Sequence, residues 1–149
     1  MPLFDTLTRK YAAEGGSVPA VARATLSPGR VAGAIGAGRV LLGAGFLLAP
    51  TVSVRVLGVD SGTAKRMRFL ARMTAARDIG IGVGTLAAGP GGDAAPWLLA
   101  GALADLTDGV VIAAAMRSGV TRGVAAAGIA AGALATGAIS VWAARRLVG

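Results

Sequence analysis

Neither cysteine nor histidine occurs in this 149-residue chain. Their absence excludes disulfides, thiol redox chemistry, Cys/His zinc sites, histidine-ligated haem and histidine acid–base catalysis. Aromatic residues are scarce at 4%, and charged residues reach only 15%, where an ordinary soluble domain carries about 25%. Acids are the rarer sign: seven Asp and Glu stand against thirteen Arg and two Lys, for a formal net charge of +8. Small and apolar residues fill the chain instead, with 54% hydrophobic residues, 24 glycines and a mean hydropathy of +0.69. Such a chain is too apolar to be wetted all round. It has the balance of a small integral membrane protein, and its Ala/Gly/Arg bias points to a GC-rich bacterial genome and so to the cytoplasmic membrane.

Four stretches, 31–49, 68–88, 96–116 and 120–142, are apolar and near the ~20 residues that a transmembrane helix requires. Pro50 stops the first, Gly89-Pro90-Gly91-Gly92 the second, and Pro96 opens the third as a first helical residue. None shows the ~10-residue alternation of a membrane strand. The sequence therefore predicts an all-α protein, a four-helix transmembrane bundle over residues 30–149. Residues 1–29 form a separate segment, in which Leu3, Phe4, Leu7 and Tyr11 share one helical face. That segment reads as a frayed tail or as an amphipathic helix docked on headgroups or on a partner subunit. It is no secretory signal, because no apolar core follows a basic start before residue 31.

Residues 51–60 alternate apolar and polar, as a half-buried extended segment or a short interfacial helix would. Asp60 or Ser61 can cap the next helix, which places Lys65, Arg66 and Arg68 near the headgroups. Basic residues are shared evenly between the two sides, so the positive-inside rule gives no orientation. Trp97 and Trp142 fall at the same side of an up-down bundle and read as interfacial anchors.

The most informative residues are charges inside the spans: Arg39 in the first, Arg72, Arg77 and Asp78 in the second, Asp105 and Asp108 in the third. Each costs about 2.5–3.5 kcal/mol at a helix centre when unpaired. They must therefore face inward and pair, and Arg39 and Arg77 are expected to converge on Asp105 and Asp108, with Arg72 reaching toward headgroup level. Gly36 and Gly43 share a stripe with Arg39, Gly80 and Gly84 with Arg77, and Gly101 and Gly109 with Asp105. Such small residues allow tight helix contact in lipid. Thr74 and Thr85 add hydroxyls to the face of Asp78.

The cluster reads either as a buried ion-pair network or as a polar cavity for a headgroup, a carboxylate or a proton. No metal site, cofactor site or nucleophile–base pair is evident, and catalytic residues are not assigned. The last span carries small residues on two sides: Gly119, Gly123, Ala127, Ala131 and Ala135, and beside them Gly128, Gly132, Thr136 and Ser140. These stripes serve packing within the bundle, or one of them is an outer face for a homo-oligomer or a larger complex, since two smooth sides exceed what one contact within the bundle needs. No phosphate-loop pattern occurs. The cations lack interleaved aromatics, which argues against nucleic acid and for anionic lipid headgroups.

At Arg39-Val-Leu-Leu-Gly43-Ala-Gly-Phe46, Pro50 and Leu57-Gly58, the chain resembles small DoxX-like membrane proteins. It is also similar to a related uncharacterised actinobacterial family, and Ala76–Gly82 and the Asp105/Asp108 pair fit the same pattern. The resemblance spans about residues 30–142 and implies a four-helix bundle, with an association to membrane oxidoreductase assemblies. The expected role is an accessory or structural subunit of a larger membrane complex. The alternatives are an intramembrane enzyme or binding protein for a lipophilic molecule, and a small oligomeric transporter or channel.

Overall fold

The computed structural model describes residues 27–149, so the segment around Leu3, Phe4, Leu7 and Tyr11 lies outside the described residues. Among those described, every regular element is helical. The order is α1 (Pro28–Leu48), α2 (Pro50–Arg55), α3 (Ser61–Arg66), α4 (Arg68–Ala87), α5 (Ala94–Arg117) and α6 (Val124–Val148). Helices α1, α5 and α6 are long and apolar enough to cross a membrane. Helix α4 has the length, 20 residues, but it carries Arg68, Arg72, Arg77 and Asp78 and does not join that class.

Several boundaries differ from the sequence expectation, each for a local reason. Helix α1 starts at Pro28, inside the expected linker, because an extended Ser27 precedes a proline at the first helical position. Helix α5 starts two residues before Pro96, since a first-turn proline forfeits no helical hydrogen bond. Helix α6 starts at Val124 rather than near Val120, because Gly119 and Gly123 both adopt positive φ, 75° and 98°. It then runs past Trp142, with Arg145 and Arg146 in its last turn, where cations suit the helix dipole.

Residues 51–60, expected as an extended segment or a short helix, form the helix α2 and a turn closed by Gly58. Asp60 then caps α3, accepting from the Gly62 and Thr63 amides at 2.8 and 3.0 Å. A small cluster of Val54, Ala64 and Ala71, flanked by Phe46, Val59 and Met67, seats this elbow against the ends of α1 and α4.

The long helices run up and down in two intimate antiparallel pairs, α1 with α4 and α5 with α6. In the first, Gly36 and Gly82 face each other: a Cβ on Gly82 would stand 2.7 Å from the Gly36 carbonyl oxygen. In the second, Gly109 receives Leu134 while Gly137 receives Leu106. Each helix thus offers a leucine and, one turn on, a glycine, and the two sets interlock. At the end opposite the elbow, Ala32, Ala94, Ala95, Leu98, Ala143 and Ala144 join the pairs.

The interior is therefore mostly alanine and glycine, while large apolar side chains point outward. Leu48 is 83% exposed and Val124 90%. A water-soluble fold buries its leucines, whereas here helix association rests on small residues and the leucines are left for an apolar surround. This is the arrangement of a membrane protein.

Two outcomes follow. Gly82→Ala should lower the thermal midpoint in detergent by the equivalent of about 1–3 kcal/mol, the range for overpacking. Gly38→Ala, whose Cβ would meet nothing within 4 Å, should be neutral or raise the midpoint. Equal effects of the two would contradict the close α1–α4 approach. At the elbow, the Thr63 hydroxyl and the Thr63 and Gly62 amides hold the Asp60 carboxyl below its ordinary pKa. Because the folded value is depressed, the cap contributes fully above the ordinary carboxylate range and is lost as pH falls through the lowered value. The Gly62 and Thr63 amide NMR shifts should titrate together with a midpoint below that range; a midpoint within it would refute the cap.

Candidate functional site

Near the middle of the long helices, α1 contributes Arg39, α4 contributes Arg77 and Asp78, and α5 contributes Asp105 and Asp108. Arg39 is only 5% exposed and holds three groups at once. Its guanidinium bonds Asp78 Oδ1 at 3.2 Å within its own helix pair. Across to the other pair it bonds Asp105 Oδ2 at 2.5 Å and the Gly101 carbonyl at 2.6 Å. The planar fork of arginine can reach several acceptors from one stem, which a lysine ammonium cannot match in the same geometry. Arg77 forms the second crossing, to Asp108 Oδ2 at 2.6 Å, and also bonds Asp78 at 3.2 Å.

Glycine makes room for this arginine on two sides. The Arg39 Cβ lies beside Gly82, and its guanidinium rests on Gly101, where a Cβ would stand 2.8 Å from Nη2. The carbonyl that Gly101 exposes becomes the third acceptor. Gly101 was visible in the sequence as one of a line of small residues; its use as a seat and acceptor for a side chain was not.

The residues expected to meet are thus distributed differently. Arg39, Arg77, Asp105 and Asp108 converge, but each arginine takes its own carboxylate, and Asp78 joins them by bonding both arginines. Arg72 lies outside the cluster, exposed on the opposite flank of α4 with Lys65, Arg66, Arg68 and Phe69. It precedes Arg77 by five positions along the helix, which turns it well away from the α5-facing side. The cluster therefore holds two arginines and three aspartates, a formal excess of one negative charge. Thr85 adds no hydroxyl to it, since Oγ1 donates to the Ile81 carbonyl at 2.8 Å.

Burial is uneven. The side chains of Asp105 and Asp78 are mostly covered, whereas those of Arg77 and Asp108 are 37% and 39% exposed. The network is closed toward α1 and open at the outer α4–α5 edge. Among the described residues, two of the shallow surface grooves lie at helix ends, and neither is lined by a cluster residue. Among the described residues no group of acids is arranged to hold a metal ion.

The other singled-out residues fall elsewhere. Gly119 and Gly123 lie in the α5–α6 connection and not on a helical stripe. Gly128 and Gly132 are on α6 and exposed, and a Cβ on either would meet nothing within 4 Å. Ala126, Ala130, Gly137, Ser140, Ala143 and Ala144 form the buried face of that helix. Trp97 and Trp142 stand at the same end of the α5–α6 pair, partly exposed, with the Trp97 indole packed on Gly84.

Comparisons with protein-family models, curated proteins and solved structures find no match to this chain. The chemistry of the cluster is therefore the guide to its role. It contains strong hydrogen-bond acceptors and fixed charge, and its arginines are engaged by carboxylates.

Arg39→Gln should destabilise the protein by about 3–5 kcal/mol, the range for stranding buried charges, read as lost folded yield and a lower midpoint in detergent. Arg39→Lys should restore only part of it. Asp108→Asn, at the open edge, should cost clearly less. Equal tolerance of Arg39→Gln and Asp108→Asn would show that the network does not hold the helix pairs together.

Proposed function

We propose that this chain is an accessory, structural subunit of a larger membrane protein complex, with α4 as its fourth transmembrane helix. The observation that carries this reading is the open Arg77–Asp108 pair. It lies midway along helices of membrane-spanning length, and its side chains are more than a third exposed. Hydrocarbon is a poor neighbour for such a pair, because an intramembrane charge is costly unless another polar group or water covers it. A second protein surface on the outer α4–α5 edge supplies that cover. The excess negative charge favours a partner group that is basic or that donates hydrogen bonds.

Two further features support the reading. Gly128 and Gly132, with exposed Ala127, Ala131 and Ala135, give α6 a smooth outer face of the kind that lets another helix approach closely. The resemblance to DoxX-like proteins, associated with membrane oxidoreductase assemblies, points the same way. The chain itself offers no histidine or cysteine to hold a redox centre, so electron transfer would belong to the partner.

The chain lacks cysteine, so single cysteines can be placed at will. With cysteine at Gly80 or Val111, each about one helical turn from the pair, isolation in mild detergent and cross-linking should yield one larger membrane subunit in fixed ratio. Cysteine at Leu41, on the outer face of α1, should not. Asp108→Asn should retain helix content yet weaken recovery of the partner about tenfold, the scale of one interhelical polar contact of 1–2 kcal/mol. Recovery of the chain alone, carrying a reproducible small molecule, would overturn the accessory role in favour of a binding or catalytic site at the cluster. Recovery as a homo-oligomer alone would replace the larger complex by self-association.

A further inference from the structure

At the elbow end of α4, Lys65, Arg66, Arg68 and Arg72 surround a groove of roughly 370 Å³, with Phe69 as its apolar wall. The joint at Met67 keeps an α-helical backbone, so Lys65, Arg68, Phe69 and Arg72 follow one another along a single face. Among the described residues no carboxylate pairs with Lys65, Arg68 or Arg72. Arg68 uses Nε on the Lys65 carbonyl at 3.0 Å, and Arg66 uses one Nη on the Thr63 hydroxyl at 3.1 Å. Those bonds position the guanidinium groups and leave other N–H donors open to the groove.

The height of the groove limits its occupant. Gly43 packs against Ala75 and Ile79, and Gly36 against Gly82 and Thr85, which fixes the antiparallel register of α1 and α4. Continued upward, that register brings Leu48, the last residue of the apolar α1, level with the Arg68–Arg72 turn. The cations thus ring the level at which an apolar span ends. Phe69 and Leu70, on the same turn of α4 as Arg68 and Arg72, and Met73 just beyond that turn are exposed. Positive charge beside an open apolar strip that runs on to Met73 complements an amphiphile with an anionic head.

We infer that this groove binds an anionic phospholipid, its phosphodiester held by Lys65, Arg68 and Arg72 and an acyl chain laid along Phe69 and Met73. Arg66 closes the side nearest Thr63. Arg72, left outside the ion cluster, has its role here. The ligand is a lipid and not a free phosphate, because the apolar strip contributes only when the anion carries a chain. Binding here is independent of any protein partner on the α4–α5 edge.

The test uses the full-length chain in nanodiscs of phosphatidylcholine doped with phosphatidylglycerol, with retained lipids counted by native mass spectrometry. Phosphatidylglycerol should be retained well above its bulk fraction. Combined Lys65→Gln, Arg68→Gln and Arg72→Gln should reduce its relative affinity about fivefold per cation removed, on the order of a hundredfold in all. Removing as many charges at Arg30, Arg117 and Arg145, which are exposed elsewhere, should leave retention unchanged. Phe69→Ala should weaken retention while leaving the charge set intact. Equal loss in the two triple variants would replace the site by diffuse surface charge. Displacement by soluble glycerol phosphate would reassign the groove to a free phosphate. Absence of any phosphatidylglycerol enrichment would overturn the lipid assignment and leave an acidic protein surface as the partner of these cations.

Discussion

One buried side chain stands at the junction of the two halves of this molecule. Helices α1 and α4 form one pair through glycine contacts, and α5 and α6 form another. Either pair could associate by small-residue packing alone. The pairs also meet through an apolar cluster and the Arg77–Asp108 pair, and the most buried polar link between them is the Arg39 guanidinium, bonded to Asp78 within its own pair and to Asp105 and the Gly101 carbonyl across the divide. Buried ion pairs are weak evidence for net stability, because desolvation offsets much of the attraction. Their better-supported contribution is register: a fork with three fixed acceptors has few other arrangements of four helices that satisfy it.

The glycine packing and the ion network depend on each other. An arginine can sit between closely spaced helices only where its neighbours lack side chains, and Arg39 has Gly82 beside its stem and Gly101 under its head. Conversely, glycine-rich helices that slid by a turn would carry Arg39 away from both aspartates. Packing without the charges would be degenerate in register, because small residues recur along α1 and α5. Charges without the glycines would have no room. The interlocked leucines and glycines of α5 and α6 hold the aspartate-bearing helix at a fixed height for the same purpose.

The sequence shows these elements unequally. Long apolar runs, their proline and glycine boundaries, and the Asp60 cap are legible because they depend on local chemistry. Arg39, Arg77, Asp105 and Asp108 are legible as a cluster because an unpaired charge within an apolar run has few favourable placements. The sharing of Asp78 between two arginines is not legible, since it depends on the rotation of α4 against α1. Arg72 is legible in part: its spacing from Arg77 already sets it apart from the cluster, whereas only the packed helix shows which flank of α4 meets α5. The start of α6 is hidden in the sequence, because Gly119 and Gly123 extend the small-residue stripe while their positive φ interrupts the helix. Neither small-residue run read on α6 is its packed face: Ala127, Ala131, Ala135, Gly128 and Gly132 are exposed, and α5 is met instead by Ala130, Leu134 and Gly137.

Helix α4 is the element on which these constraints meet. Its four charges keep it from being apolar enough to be called a membrane span on composition, although it packs along α1 and faces α5. Four unpaired charges at about 2.5–3.5 kcal/mol each would oppose placing it in hydrocarbon. The fold removes that opposition one side at a time. Asp78 is satisfied by Arg39 from α1, and Arg77 by Asp108 from α5, while Arg68 and Arg72 lie at the level where the apolar part of α1 ends. Only the outer edge of the Arg77–Asp108 pair is left uncovered. A helix that requires polar company on two sides and has an unmet need on the third is poorly suited to stand alone in a bilayer. That incompleteness, more than any catalytic group, is what supports the proposal that the chain is one part of a larger assembly.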